Sequence, residues 1–530
     1  MDDPGTWLLT SEERGNPATT LPGWTEGNLV EPLVHGATYF DRLVEEVETL
    51  EAGDHLFFTD WRGDPDERLR GNGPTVAELF GAAIKRGVCV RGLVWRSHMD
   101  RMSFNKQENR ALDAEIEHSG GEVILDQRVR RSGSHHQKFV VLRHAGDPSR
   151  DVAFAGGIDL CHGRRDDGKH GGDPQPQAMA KAYGPTPPWH DVQLLLRGPA
   201  VGVLDTVFRE RWDDPSNPDV DHPFAWIHDK LHHNRLHADP LPPQLPPPPE
   251  CGPHVVQNLR TYPAIRPPYA FAPKGERSVA RGYSKAITRA RRLVYLEDQY
   301  MWSADVARLF ADALAAHPEL HLVVVVPRVP DQDGAFAKRP QYVGRWEAIE
   351  MCRRAGQGRV HVFDLENHEG TPVYVHAKVC VVDDIWASVG SDNFNRRSWT
   401  HDSELSSAVL DTTRDRREPA DPRGTGEGAR TFPRDLRLAL AREHLDRAAD
   451  GSEDKDLLDP DTFVAAMEAS ATALEAWHTG GRRGPRPPGR LRPHRPERLS
   501  LLTRLWATPV YRLLDDPDGR PLRKRLRREF

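Results

Sequence analysis

An internal repeat constrains the fold of this chain more than any other feature. The segment HQK at 136–138 leads into the apolar run FVVL, and HAK at 376–378 leads into VCVV. A glycine-containing turn follows each run, GGID at 156–159 and GSDN at 390–393. Features that recur in the same order predict one architecture built twice, with the two copies facing each other across a shared seam.

The repeat extends beyond these turns. HDVQLLL at 190–196 matches HDSELSS at 401–407. In both halves, helix-period segments alternate with short apolar runs, as where 38–52 precedes 55–61 and 278–292 precedes 293–300. This alternation is typical of α/β layers with buried sheets. We therefore predict an α/β fold that is duplicated.

The two His-x-Lys pairs point to phosphodiester chemistry. Residues i and i+2 of a strand project from the same face, so His136 lies with Lys138, and His376 with Lys378. One imidazole can attack phosphorus and form a phosphohistidine, while the other protonates the leaving oxygen and then activates water or an alcohol. The lysines can hold the non-bridging oxygens.

One His-x-Lys alone is a weak signal, since a surface pair on an edge strand would explain it equally well. Two copies, each followed by an apolar run and a glycine-containing turn, argue against chance. The chemistry requires no metal, and the sequence spacing shows no cluster of His, Cys or carboxylate ligands. We expect no cofactor.

These residues resemble the HKD phospholipase D superfamily, whose motif is HxK, four residues, Asp and a GS-x-x-N turn. The first copy is similar to the eukaryotic-type variant, with HHQKFVVL, VAFAGGIDLCHGRRDD and WHDVQLLLRGPAV; the resemblance covers most of 35–450. It implies two α/β/α sandwich halves with pseudo-two-fold symmetry and the active site at their interface. The second copy fits closely at His376, Lys378, Asp383, Gly390, Ser391, Asn393 and Asn395.

The resemblance also implies catalytic roles. His136 is the expected nucleophile and His376 the expected acid, each oriented by an acidic partner. The alignment of the two copies nominates Asp191 and Asp402 as these partners. Glu404 is a weaker alternative to Asp402, and a loop-capping role is the alternative for Asp191.

Other motif residues are expected to bind phosphate or to support the site. Asn393 and Ser391 would contact the phosphate together with Lys138 and Lys378. Asp383 and Asp159, the counterpart of Asn393, would order local structure.

The sequence departs from the family pattern in three places. Arg143 stands where the first copy should have the motif Asp. The interval from the motif Lys to the turn Gly is longer in the first copy than in the second. Asp298 replaces the usual Asn of an ENQYF-like segment.

Composition shifts predict the domain boundaries. A proline run at 238–253 is typical of a stiff linker, which would separate an N-terminal half at 1–237 from a C-terminal half at 254–450. Residues 451–530 would form a helical and basic C-terminal extension.

The charge distribution and the cysteines limit the cellular compartment and the binding partners that we expect. The net charge is −7, yet residues 481–530 carry 15 Lys/Arg against 5 Asp/Glu. The remaining acidic body argues against nucleic-acid binding. The basic tail could contact anionic membrane, or it could instead be solvated or packed on the body. Five scattered cysteines and an N-terminus without a signal-peptide pattern favour a cytoplasmic protein. We expect a monomer, with peripheral membrane contact through the basic tail as one alternative.

The function these observations favour is that of a phospholipase D acting on a phospholipid substrate. It would release phosphatidic acid and an alcohol, with transphosphatidylation as a related activity. The alternatives are a cardiolipin synthase-type phosphatidyl transferase, a nuclease-type phosphodiesterase and an inert lipid-binding scaffold. The sequence does not specify the headgroup or the acceptor alcohol.

Overall fold

A computed structural model describes residues 3–97, 106–216, 238–497, 499–527 and 529–530. The strands of the first half are β1 Thr25–Val34, β2 His55–Asp60, β3 Cys89–Trp95, β4 Glu122–Asp126, β5 Phe139–Arg143, β6 Val152–Gly156, β7 Trp189–His190 and β8 Val192–Arg197. Those that follow are β9 His254–Tyr262, β10 Glu276–Arg277, β11 Leu293–Glu297, β12 His321–Val325, β13 Val360–Glu366, β14 Pro372–Val375, β15 Val379–Val382, β16 Trp386–Gly390, β17 Glu404–Asp411 and β18 Leu491–Pro493.

Helices connect and cover these strands. Short 3-10 turns occur at Pro4–Thr6, Pro148–Arg150 and Lys181–Tyr183, and a π-helical turn at Tyr511–Asp515. The α-helices are Ser11–Arg14, Gly36–Glu48, Val76–Lys85, Lys106–His118, Pro199–Trp212, Ser278–Ile287, Ala304–Ala316, Ala335–Gly356, Arg396–Thr400, Thr431–His444, Pro460–Thr479, Leu501–Val510 and Leu522–Arg527.

The two halves contain the same sheet. The first has the strand order β4-β3-β2-β5-β6-β8-β1, and the second has β13-β12-β11-β15-β16-β17-β9. In each, the first three strands are parallel and the others pair antiparallel. β1 also pairs with β9, which joins the sheets edge to edge. The predicted duplicated α/β fold is confirmed.

Alternation along the motif strands explains how the halves meet. In β5, Phe139 and Val141 face an inner core, which also contains Val379 and Val381 of β15. The intervening residues of β5 face the outer helices of the first half, and those of β15 face the outer helices of the second. Because successive side chains point to opposite faces, β5 and β15, which directly follow the two His-x-Lys segments, share one core across the seam.

The outer helices are amphipathic, as the sequence pattern predicts. Helix Gly36–Glu48 buries Tyr39, Phe40, Leu43, Val44 and Val47, which form one apolar stripe. Helix Val76–Lys85 begins at Thr75, whose hydroxyl accepts the Glu78 N–H while the Glu78 side chain accepts the Thr75 N–H. These helices cover the outer face of the first sheet.

The linker and the C-terminal extension differ in their secondary structure. Residues 238–253 have no regular secondary structure, while the expected boundary at 237 lies outside the described residues. In the extension, β18 pairs with β13 and widens the second sheet. In the described parts of the chain, no helix combines the length and apolar character needed to cross a bilayer.

Candidate active site

Both His-x-Lys segments are docked on the opposite half by backbone hydrogen bonds. The N–H of His136 donates to the carbonyl of Ser403 at 2.9 Å, and that of His376 donates to the carbonyl of His190 at 2.8 Å. The imidazoles are mostly buried, and both lysine side chains are fully buried. The fold therefore brings the four predicted motif residues to one seam.

Each histidine has an acidic partner from the other half. His136 Nδ1 lies 2.8 Å from Glu404 Oε2, and His376 Nδ1 lies 2.7 Å from Asp191 Oδ2. With Nδ1 engaged in both rings, Nε2 is the nitrogen left to meet a substrate. The crossed pairing means that neither half contains a complete site.

The structure gives Asp402 a different place from the one expected. Its carboxylate accepts the Ser134 N–H at 2.9 Å and pairs with Arg397 at 2.6 Å. The His-Asp dipeptides at 190–191 and 401–402 are not structurally equivalent. Backbone bonds from Gly157 to Val192 and from Ser391 to Leu405 show that the equivalent residues are Asp191 and Glu404. The alignment from sequence was therefore two residues out of register.

The lysines lie against groups that fix their ammonium ends. Lys138 Nζ donates to the His136 carbonyl at 3.1 Å and lies 3.4 Å from Asp159 Oδ1. Asp159 also accepts the N–H of Trp61, which ties the turn at 156–159 to the end of β2. Lys378 Nζ donates to the His376 carbonyl and to the side-chain oxygen of Gln299. Gln299 is a site residue that the sequence reasoning missed.

The turn after the second motif contributes in two ways. The Ser391 hydroxyl donates to Glu404 Oε2 at 2.5 Å, so it holds the partner of His136 rather than pointing to a phosphate site. The side-chain oxygen of Asn393 is buried with no hydrogen-bond partner. An amide oxygen only accepts hydrogen bonds, so this unpartnered atom cannot itself bind a phosphate, and the phosphate contact expected from the amide N–H groups of Asn393 stays a prediction.

The motif Asp and its replacement both support structure. Asp383 accepts the backbone N–H groups of residues 291–293 and so holds the start of β11. At the corresponding position Arg143 pairs with Asp151 at 2.7 Å and Asp205 at 2.5 Å, and it donates to the linker carbonyl of Pro246. A buried cation with two carboxylates thus replaces the motif carboxylate.

Asp298 connects two loops near the second motif. Its carboxylate accepts the N–H groups of Tyr300 at 2.9 Å and Phe394 at 3.0 Å. The substitution of Asp for the usual Asn therefore preserves an acceptor that ties the segment after β11 to the GSDN turn.

Burial sets the charge state of the two imidazoles. Burial, and then the positive charges of Lys138 and Lys378, hold the pKa of His136 well below its ordinary value. Burial and Lys378 do the same to the pKa of His376. Burial also raises the pKa of Asp191 and, with the nearby Asp402 carboxylate, that of Glu404. Both histidines are therefore neutral in the free protein, as a nucleophile requires.

Aromatic rings flank the histidines. The Trp189 ring lies 4.9 Å from that of His376, and the Arg164 guanidinium stacks on Trp189 at 3.9 Å. Trp61 lies 6.1 Å from His136. Arg164, within GRRDD, was also missed because only the fold places it beside the second motif.

Two groups of side chains in the described part of the chain could hold a metal ion. One contains His35, His170, His190 and Glu443, and the other His190, Glu297 and His444. Their members lie far apart in sequence, which is why spacing showed no ligand cluster.

Comparisons with known proteins find similarity in both halves of the chain. The family model described as Phospholipase D matches residues 67–235, and that described as Cardiolipin synthase, PLD-like domain matches residues 284–415. Phospholipase D alpha 1 of Ricinus communis is 25% identical, with 76% of this chain and 62% of that protein covered. Phospholipase D alpha 2 of Arabidopsis thaliana is 25% identical, with 77% and 62% covered. This chain spans less than two thirds of the length of these relatives.

Among solved structures, phosphatidylserine synthase from Haemophilus influenzae Rd KW20 aligns with 76% of this chain and 86% of its own, at 13% identity and a TM-score of 0.48. Each matched family segment contains one of the two His-x-Lys motifs, at 136–138 and 376–378. The chain belongs to the phospholipase D superfamily.

Proposed function

We propose that this protein is a phospholipase D that hydrolyses the distal phosphodiester bond of glycerophospholipids. The observation that carries the proposal is the crossed pairing of His136 with Glu404 and of His376 with Asp191 at one seam. Two oriented imidazoles with two buried lysines supply a nucleophile, an acid and a binding site for the phosphate charge.

The proposed reaction has two steps. His136 Nε2 attacks phosphorus, the bond to the headgroup oxygen breaks, and His376 donates a proton to that oxygen. A phosphatidyl group is then bonded to His136. In the second step His376 removes a proton from water, the resulting hydroxide attacks phosphorus, and the phosphorus–nitrogen bond breaks. Phosphatidic acid leaves and His136 is restored.

The electrostatics of the free protein suit these two reaction steps. Burial and the lysines favour neutral His136, which can act as a nucleophile. The phosphodiester brings a negative charge between Lys138 and Lys378, which offsets the cations that disfavour a proton on His376. Substrate binding therefore favours the protonated acid when the leaving group needs it.

A phosphatidyl transferase of the cardiolipin synthase type is the second candidate. The match of residues 284–415 to a cardiolipin synthase domain model favours it. It would use the same phosphohistidine, with an alcohol replacing water in the second step.

A lipid surface is the partner we propose for the C-terminal tail. Leu501, Leu502 and Leu505 on one helix, and Leu513 on the next turn, are each at least 70% exposed. The competing expectation is that Leu502, Leu505 and Trp506 pack on the body. Leu502 and Leu505 are exposed, whereas Ala507 and Tyr511 of the same tail are buried. Apolar side chains beside many basic residues suit the interface of an anionic bilayer.

Contacts anchor this tail beside the site. The carboxylate of Asp516 accepts the Arg397 N–H at 2.8 Å, and the Arg397 side chain donates to the Leu514 carbonyl at 3.2 Å. Arg397 in turn pairs with Asp402, which holds the segment before His136. Docking of the leucines would therefore take place next to the catalytic seam.

A lipid panel tests the proposed reaction. The full chain is incubated with phosphatidylcholine, phosphatidylethanolamine, phosphatidylserine and phosphatidylglycerol, with and without ethanol, and the products are identified by mass spectrometry. We expect phosphatidic acid, and phosphatidylethanol when ethanol is present. Cardiolipin from phosphatidylglycerol as the main product would favour the transferase. Cleavage of oligonucleotides with no lipid product would overturn the proposal.

A further inference from the structure

Three histidines from the first half converge on one carboxylate from the second, and we call this group the histidine cluster. It consists of His35, His170, His190 and Glu443. His35 Nε2 lies 2.6 Å from Glu443 Oε2, while His170 Nε2 and His190 Nδ1 lie 3.1 Å and 3.3 Å from Oε1. All three imidazoles are buried. The four potential ligand atoms lie within 4.8 Å of one another.

The outer nitrogens of two of these rings are already engaged. His190 Nε2 is 2.7 Å from the Glu297 carboxylate. His170 Nδ1 is 3.1 Å from the backbone carbonyl of Trp189, which can only accept a hydrogen bond. In the neutral rings the outer nitrogens therefore carry the hydrogens, and the lone pairs of His170 Nε2 and His190 Nδ1 point into the cluster. Histidines that ligate metals are typically oriented in this way.

We propose that the histidine cluster binds one divalent transition-metal ion of the zinc type. A tetrahedral ion with bonds of about 2.0–2.1 Å separates its ligand atoms by roughly 3.3 Å. The separations of 3.1 Å and 3.3 Å to Glu443 Oε1 match this spacing. His35 lies 2.6 Å from the other oxygen, Oε2, and the four ligand atoms lie within 4.8 Å of one another, so small displacements would close the set around an ion. Three imidazoles and one carboxylate suit zinc, whereas calcium and magnesium prefer sets of oxygen ligands.

The ion would have a positioning role. Four protein ligands form a closed set, which is typical of structural sites. His190 immediately precedes Asp191, and its carbonyl accepts the N–H groups of His376 and Ala377. His35 donates its backbone N–H to the Asp191 carbonyl at 2.9 Å. Two ligands thus hold the segment that aligns Asp191 with His376, and Glu443 links it to the second half.

This proposal modifies the expectation that no metal is involved. The proposed reaction still needs no metal ion in contact with the phosphate. The metal assignment rests only on protein side chains and not on the identity of the substrate. Failure of the proposed lipid reaction would therefore leave the metal assignment unaffected.

Metal content of the untagged full chain is the direct test. The protein is expressed with added zinc, passed over a gel-filtration column and measured by mass spectrometry of its metals. We expect about one equivalent per chain, because a folded structural site retains its ion. In Co²⁺-substituted protein, visible absorption bands of tetrahedral Co²⁺ are expected.

Two variants locate the site. Glu443→Gln removes a ligand and should lose the bound metal, and Glu297→Gln should weaken zinc affinity by about 10–100-fold through the outer hydrogen bond. Glu468→Gln is the matched control, because Glu468 also pairs with a histidine, His361, but at the surface. It should keep the full equivalent.

The wild-type measurements decide the case even if a variant fails to fold. Less than about 0.1 equivalent of metal, together with no saturable Zn²⁺ binding by chelator-treated protein, would overturn the proposal. So would retention of the full equivalent by folded Glu443→Gln. Tetrahedral Co²⁺ bands in the wild type and in Glu468→Gln would support it.

Discussion

His136 and Glu404, which lie in opposite halves of the chain, are joined by a 2.8 Å hydrogen bond. The His376–Asp191 pair repeats this relationship with the halves exchanged. Asp191 directly precedes β8 and Glu404 is the first residue of β17, so each lies in the half that lacks the histidine it holds. Assembly of the site therefore depends on docking of the two halves.

Loss of either motif histidine should abolish turnover. His136→Ala removes the proposed nucleophile and His376→Ala the proposed acid, so kcat on a soluble short-chain phosphatidylcholine should fall by at least about 10²–10⁴-fold. The control is His368→Ala at the exposed surface, which should keep normal activity. More than about a hundredth of the wild-type rate in either motif variant would contradict a single shared site.

Glu404 and Asp402 should differ in what they contribute. Glu404→Gln removes the carboxylate that orients His136, so kcat should fall by about 10²–10⁴-fold with little change in KM. Asp402→Asn weakens the pairing with Arg397 and should reduce kcat much less. The two variants are compared by steady-state kinetics and by thermal unfolding. A larger loss of kcat in Asp402→Asn than in Glu404→Gln would favour Asp402 as the catalytic partner, as the sequence alignment suggested.

The sequence revealed the repeat and the four motif residues because each motif is local and occurs twice, although both His-x-Lys segments lie just before β5 and β15 rather than within a strand as expected. It also predicted the α/β layers from alternating apolar patterns. These predictions depend only on residues that are close together in the sequence.

The sequence could not fix the pairing across the seam. The two His-Asp dipeptides look equivalent, yet the backbone register places Glu404 opposite Asp191. The histidine cluster was missed for a similar reason, since its residues come from four separate segments. Such contacts depend on how the halves pack, which local patterns do not encode.

The charge on Lys378 should limit activity at alkaline pH. Burial, and then repulsion from Lys138, lower the pKa of Lys378 to about 8, although the Asp191 carboxylate opposes this shift. Its ammonium is therefore lost as the pH rises through about 8, and kcat/KM should then fall by up to tenfold per pH unit. In Lys378→Arg the guanidinium stays charged, so the alkaline limb should move to higher pH even if the plateau is lower. If the alkaline fall in kcat/KM occurred at the same pH in Lys378→Arg, a group other than Lys378 would be responsible for it.

Arg143 should be required for stability rather than for chemistry. Arg143→Ala leaves Asp151 and Asp205 buried without their cation, which should cost about 3–5 kcal/mol of unfolding free energy. Arg70→Ala is the matched control, because its partially exposed ion pairs with Asp41 and Glu45 should contribute about 0–1 kcal/mol. Denaturant unfolding measures both. Equal losses in the two variants would contradict the structural role of Arg143.

The exposed leucines of the tail should control vesicle binding without affecting the catalytic body. Truncation after Thr479 is unsuitable as a test, because it would also remove β18 and the Asp516 contact with Arg397. Point substitutions avoid this problem. Leu502→Ser combined with Leu505→Ser removes apolar side chains that are 78% and 73% exposed, so the melting temperature should hardly change.

Binding of this double variant to phosphatidylglycerol vesicles should weaken by at least about tenfold, since burial of one leucine contributes roughly 1.5–3 kcal/mol when complete. Its activity on a soluble short-chain lipid should stay normal. Leu29→Ser, at an exposed leucine outside the tail, should bind vesicles as the wild type does. Vesicle binding measured by co-sedimentation at several salt concentrations should also weaken with salt, because basic residues contribute about 1 kcal/mol each near an anionic surface. Unchanged binding in the double variant, or loss of activity on the soluble lipid, would count against a membrane role for the tail.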